Sequence, residues 1–237
     1  MDEIVRANLS TFAAGVADGY LAQPYHARRI TEAAELLLRE ARRLSAEPRL
    51  ADLGAGSDAV SAMLSRRGAR VTMVDLVADP ARSDRASLPL VRADLSRPLP
   101  FRDAVLDGLF AGELIEHLFD PLGFLLECRR ALVPGGVLVV TTPNLATLQD
   151  RVRFLFGRSP RQVDPGHPYL RLHIRPFTYS ALVRAFRDCG ITPIEFRSNY
   201  CVLGGARRAV RSRALARLFP SLGGSLILAG TTSPGRL

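Results

Sequence analysis

Short apolar runs recur along this chain, each bounded by glycine, proline or an acid, and between them apolar residues return every three or four positions. Leu50-Ala51-Asp52-Leu53 reads as a strand that turns through Gly54-Ala55-Gly56-Ser57-Asp58. A helix follows from Ala59 and stops at Gly68, and Arg70 to Asp75 is a second strand. Further strands are predicted at Leu90-Val91-Arg92, Ala104 to Ala111, Val137 to Thr142, Ile191 to Cys201 and Ser225 to Gly230. Helices are predicted from Pro121 to Leu132 and from Thr178 to Gly190, with a basic amphipathic one from Arg207 to Phe219 on Val210, Ala214 and Leu218. Residues 1–47 read as helical, with the stripe Ala33, Leu36, Leu37 and Leu44; Ala78 to Pro89 reads as loose connection. Strands separated by helices at this spacing predict an α/β fold with a parallel sheet covered on both faces.

The turn after the first strand carries the most specific chemistry. Glycines at a strand-to-helix turn let the backbone approach a ligand, and the next helix presents free N–H groups. Asp75, ending the second strand, is placed to accept hydrogen bonds from ribose hydroxyls. Two nucleoside cofactors compete for such a unit. Gly54-x-Gly56-x-x-Ala59 satisfies the dinucleotide fingerprint, with Asp75 about 20 residues on. Asp52, two residues before the first glycine, favours a ligand carrying an ammonium group and no phosphate, because a carboxylate beside a pyrophosphate is repelled. Ser57 or Asp58 is the natural cap of the helix that follows.

Composition narrows the partners. At 237 residues and 47% hydrophobic content the chain can bury one full core, and no run is long enough to span a membrane. It begins Met1-Asp2-Glu3 without a basic-then-apolar leader, and Cys128, Cys189 and Cys201 lack metal-ligand spacing, so a cytoplasmic protein with reduced thiols is expected. All 32 basic residues are arginine. Residues 1–150 hold 17 of them against 20 acids, and residues 151–237 hold 15 against 3. That asymmetry points to an anionic partner for the last third: a phosphorylated or carboxylated substrate, a membrane surface met by 207–217, or, less suited, nucleic acid.

The later segments carry a family resemblance. Asp52-x-Gly54-x-Gly56, Ala93-Asp94, Asp107 to Ala111 with Glu116-His117-Leu118-Phe119-Asp120-Pro121, Leu132-Val133-Pro134-Gly135-Gly136 and Thr142-Pro143-Asn144 resemble, in order and spacing, the motifs of class I S-adenosylmethionine-dependent methyltransferases, small-molecule O-methyltransferases among them. Asp58 departs from the family, which commonly has glycine there. The resemblance covers roughly residues 48–200. It implies a Rossmann-like three-layer αβα sandwich on a seven-stranded, mostly parallel sheet with the last strand antiparallel. It also implies an N-terminal helical lid over 1–47, a methyltransferase domain over 48–237, and a basic helical insertion at 205–219. S-adenosylmethionine would be held by Asp52, Gly54, Ala55, Gly56, Asp75, Leu76, Asp94, Leu95 and Ala111.

Glu113-Leu114-Ile115-Glu116-His117 is the catalytic candidate. If helical, its two carboxylates and imidazole share one face. The pattern looks like the metal site of small-RNA 2′-O-methyltransferases and some ubiquinone-type O-methyltransferases, with His173 as a candidate further ligand. Glu113, Glu116, His117 and His173 would then hold Mg or Mn; without metal, His117 or His173 would be a general base. The expected activity is O-methylation of a small, anionic, sugar- or lipid-linked acceptor. The alternatives are a non-catalytic relative binding anionic surfaces and an NAD(P)-dependent enzyme.

Overall fold

The computed structural model describes residues 23–56, 59–76, 88–164, 166, 172–204 and 210–233. Seven strands form one sheet: β1 (Arg49–Leu53), β2 (Arg70–Asp75), β3 (Leu90–Arg92), β4 (Leu106–Gly112), β5 (Leu132–Pro143), β6 (Ile191–Arg197) and, last in sequence, Ser225–Thr232. The pair β7 (Cys201–Leu203) and β8 (Val210–Ser212) stands apart as a two-stranded ribbon, so the last sheet strand is β9. Its order is β3-β2-β1-β4-β5-β9-β6, with β9 antiparallel to both neighbours and the other six strands parallel. This is the expected αβα sandwich, with its antiparallel strand inserted between β5 and β6.

Strand period two distributes the apolar side chains to two cores. Leu50, Val137, Val139, Ile227 and Ala229 face a cluster with helices α1 (Pro24–Ala41) and α2 (Ala59–Arg66). Ala51, Leu53, Leu138, Val140, Leu226 and Leu228 face the other, with α3 (Pro121–Ala131) and, later in the chain, the helix Tyr179–Asp188. Both faces of the central strands are covered, which is why they read as continuous apolar runs. Between these two helices lies α4 (Leu148–Leu155), so Tyr179–Asp188 is α5 and Arg213–Leu218 is α6.

Most expected elements stand within a residue or two of their place. In α1 the stripe Ala33, Leu36 and Leu37 is fully buried against the sheet, while Leu44 lies beyond the helix and is exposed. Residues 1–22 of the expected lid fall outside the described residues, as do Ser57, Asp58, most of Ala78 to Pro89, and Arg207 with Arg208. The basic helix from Arg207 to Phe219 is corrected. Val210–Ser212 pairs with β7 as a strand, and only Arg213–Leu218 is helical, capped by the Ser212 hydroxyl that accepts from the Leu215 N–H. The long strand Ile191 to Cys201 is likewise divided into β6 and β7.

Candidate functional site

The loops after β1, β2, β3, β4 and β5 meet along one edge of the sheet, where β1 and β4 are neighbours and the connections diverge to either side. In an open α/β sheet this crevice is where a ligand fits. After β1 the chain turns through Gly54 and Gly56, both with positive φ (73° and 52°), which glycine adopts without steric cost. The Gly56 N–H donates to Asp75 Oδ2 at 2.8 Å, tying the turn to the end of β2. Asp52 lies beneath the turn and is 2% exposed; its Oδ2 accepts from the Ser61 hydroxyl of α2 at 2.6 Å. Burial pushes the Asp52 carboxyl up to about 7. Asp94, after β3, accepts from the Ser96 hydroxyl and N–H, and that hydroxyl bond holds it below the usual carboxylate range.

Leu76 is half-buried, and its carbonyl accepts from Arg92. Leu95 and Ala111 are buried, with their side chains in the core cluster. Asp52, Gly54, Ala55, Gly56, Asp75, Leu76 and Asp94 therefore line one edge, with Leu95 and Ala111 packed behind it.

The segment after β4 is not the helix on which the shared face of 113–117 depended. Glu113 sits in the left-handed region (φ 51°), and only Ile115–His117 forms a single 3₁₀ turn. A non-glycine residue in that region is strained and needs its surroundings to hold it. Here the Glu113 N–H donates to the Thr141 carbonyl at 2.8 Å, and its carboxylate pairs with Arg29 at 2.9 Å and accepts from the Thr141 hydroxyl at 3.2 Å. Arg29 comes from α1 and is 3% exposed. Nothing in the chain pattern singled out this cation; its one signal was a charge on the apolar side of a helix.

Glu116, His117 and His173 do converge. One ligand atom from each lies within 4.8 Å of the others, and the two imidazoles meet edge to face with centroids 4.9 Å apart. Two backbone-level ties bring His173 there from the far segment. His117 Nδ1–H donates to the Leu172 carbonyl (3.0 Å), and the Arg175 N–H donates to the Glu116 carbonyl (3.0 Å). His173 Nδ1 faces Gln162 Oε1 at 3.2 Å. Burial lowers the His117 pKa, so the ring is neutral at physiological pH with its lone pair on Nε2. Glu116 is 1% exposed, and neither carboxyl oxygen has a hydrogen-bond partner; the Thr142 hydroxyl stands beside it outside bonding geometry. Burial, then the nearby Glu113, drives its pKa far upward. Glu113 is outside the set, engaged by Arg29.

Beside this cluster opens a cavity of about 530 Å³ lined by Tyr25, His26, Thr147, Arg161, Gln162 and Arg211 among others. Gln162 belongs both to the cavity and to the His173 contact. Leu114 packs against the Gly54 position, joining the histidine turn to the glycine turn.

Comparisons with known proteins agree with this geometry. Residues 51–140 match the family described as Methyltransferase domain. Over 168 residues the chain is 34% identical to a Mycolicibacterium smegmatis protein named "Probable S-adenosylmethionine-dependent methyltransferase", covering 65% of this chain and 56% of that one. It is 32% identical over 106 residues to a ubiquinone biosynthesis O-methyltransferase of Cereibacter sphaeroides, covering 40% and 41%. The chain thus spans about half the length of the curated relatives it matches. Among solved structures, the Burkholderia thailandensis 1,6-didemethyltoxoflavin-N1-methyltransferase, with S-adenosylhomocysteine bound, superposes with a TM-score of 0.64 at 18% identity over 98% of this chain and 89% of that one, which shows the shared fold. Strand order, the glycine turn after β1 and the matched domain point the same way: residues 51–140 match a methyltransferase domain, and the chain shares the fold of solved methyltransferases and sequence similarity with proteins named as S-adenosylmethionine-dependent ones.

Proposed function

We propose that this chain transfers the methyl group of S-adenosylmethionine to an oxygen of a small, anionic acceptor, sugar- or lipid-linked, seated in the cavity that Gln162 links to the histidine pair. The observation that carries this reading is the state of His117: neutral, oriented through Nδ1 by the Leu172 carbonyl, with Nε2 able to accept a proton. Methyl transfer is a displacement at carbon. The acceptor oxygen bonds the methyl carbon, the sulfonium sulfur keeps the electron pair of the broken bond and becomes a thioether, and the hydroxyl proton goes to His117 Nε2. A hydroxyl needs such a base, whereas a neutral amine already offers its lone pair. Asp52 would meet the ammonium of the cofactor, Asp75 the ribose and Asp94 the adenine. Arg211 at the cavity supplies positive charge that favours an anionic acceptor, while the Arg161 guanidinium there is paired with Asp150.

A second reading rests on Glu116. A buried carboxyl without a partner, with two ring nitrogens within 4.8 Å, fits a mixed oxygen and nitrogen set for a divalent ion such as Mg or Mn. Glu116, His117 and His173 would hold it, and bound there it would polarise the acceptor hydroxyl. His117 already shows the arrangement common in ligating histidines, its second nitrogen bonded to a backbone carbonyl.

The test is label transfer from methyl-labelled donor to anionic hydroxylated metabolites, with and without chelator. Under the base reading chelator changes nothing, and His117→Ala lowers kcat by about 10²–10⁴-fold with cofactor affinity unchanged. Loss of turnover with chelator, restored by Mg²⁺ or Mn²⁺, selects the metal reading. Full activity of His117→Ala and His173→Ala in chelator removes both.

A further inference from the structure

Helix α4 faces the solvent with its apolar side. The one residue of its eight that is buried is Asp150 (1% exposed), fixed by the Thr147 hydroxyl at 2.6 Å and the Arg161 N–H at 3.1 Å. Val152, Leu155 and Phe156, at the three- and four-residue spacing of one helical face, are 46%, 82% and 77% exposed, and Phe154 beside them is 70% exposed. Single exposed apolar residues are ordinary, but four large ones on one short helix end form a patch that water opposes. Arginines are interleaved with them: Arg151, Arg153 and Arg158. Val152, Arg153, Phe156 and Arg158 together border a hollow of about 460 Å³. Arg151 reaches the Ser221 carbonyl at 3.1 Å, and Phe219, next to that turn, is exposed as well.

We infer that this face docks on an anionic lipid membrane. Phe154, Leu155 and Phe156 would enter the boundary between headgroups and acyl chains, and the arginines would meet lipid phosphates. Charge complementarity selects this occupant, since residues 151–237 hold 15 arginines against 3 acids. A second copy would bring arginine against arginine across the contact. Protruding apolar tips at a helix end also suit a deformable bilayer better than a shaped protein groove. The patch lies outside 207–217, the segment that charge alone indicated. Thr147 and Gln149, where α4 begins, line the 530 Å³ cavity, so docking would bring that cavity to the membrane surface. This last consequence, delivery of a lipid-linked acceptor, rests on the proposed function; the docking itself does not.

The test is flotation with phosphatidylcholine vesicles, with and without phosphatidylglycerol, for the wild type and for Phe154→Ser/Leu155→Ser/Phe156→Ser. The wild type should float with the anionic vesicles alone, and the serine variant should lose roughly tenfold or more in apparent affinity. Arg153→Gln/Arg158→Gln should flatten the salt dependence. Binding of S-adenosylhomocysteine by each variant certifies the fold and reads the proposed function separately; if the triple variant loses it, Leu155→Ser alone carries the comparison. Equal flotation of variants and wild type, flotation on neutral lipid alone, no flotation of the wild type, or a dimer in solution that the serine variant abolishes would each overturn the proposal.

Discussion

Asp52 shows how one residue would set the chemistry of the proposed nucleoside site. Its position beneath the glycine turn removes its carboxyl from water and raises its pKa to about 7, with the Ser61 hydroxyl as a partial counterweight. The folded protein therefore holds a proton on Asp52 below pH 7. A ligand bringing an ammonium group needs the ionised form, so binding must release that proton at lower pH. Affinity for S-adenosylhomocysteine is expected to be flat above pH 7 and to fall by up to about tenfold per unit as the pH drops below it. Titration calorimetry between about pH 5 and 8 measures this. In Asp52→Asn the dependence should vanish; a slope that survives the substitution would mean that another group carries it.

At the scale of elements, α1 is joined to the site by an ion pair whose arginine is buried and whose carboxylate is partly exposed. Arg29 donates to the Thr141 hydroxyl at 2.9 Å and pairs with Glu113, the strained residue that ends β4. The helix is thus fixed to the ends of β4 and β5, over the turn that carries Glu116 and His117. Removing the arginine leaves a partly buried carboxylate unmatched. Arg29→Met should cost about 1–3 kcal/mol in urea unfolding, and Arg29→Met/Glu113→Gln should recover much of it. If the double variant is as unstable as the single one, the loss comes from packing around the Arg29 stem instead.

Considered whole, the molecule separates its tasks between its halves. The acidic first part carries the proposed nucleoside edge, and the arginine-rich last third carries most of α4, the β7–β8 ribbon and much of the cavity wall. Because the edge is assembled from five strand ends, a ligand spanning it stabilises the entire sheet and not one loop. S-adenosylhomocysteine at 100 times its dissociation constant should add about 2.7 kcal/mol, raising the melting temperature by roughly 5–10 °C, and NAD should add nothing. A shift with NAD and none with the homocysteine would overturn S-adenosylmethionine as the proposed cofactor.

What the sequence by itself determined was whatever depends on neighbours in the chain. Period-two and continuous apolar runs located the strands, glycines with positive φ marked the turn after β1, and Asp75 and Asp94 were visible at strand ends. Even α4 left local marks, Thr147 as a cap and Gly157 with positive φ beyond its end, although its apolar residues gave no sign of which way they would face. Tertiary structure decided the rest. Glu113 and Glu116 seemed equivalent in an imagined helix, but a left-handed residue and Arg29 from 84 positions upstream separate them, leaving one paired and the other buried without a partner. His117 and His173 lie 56 residues apart and meet only because the Leu172 carbonyl and the Arg175 N–H dock one segment on the other. Burial and long-range pairing set the protonation of a side chain, and neither is written in the spacing of residues along a chain.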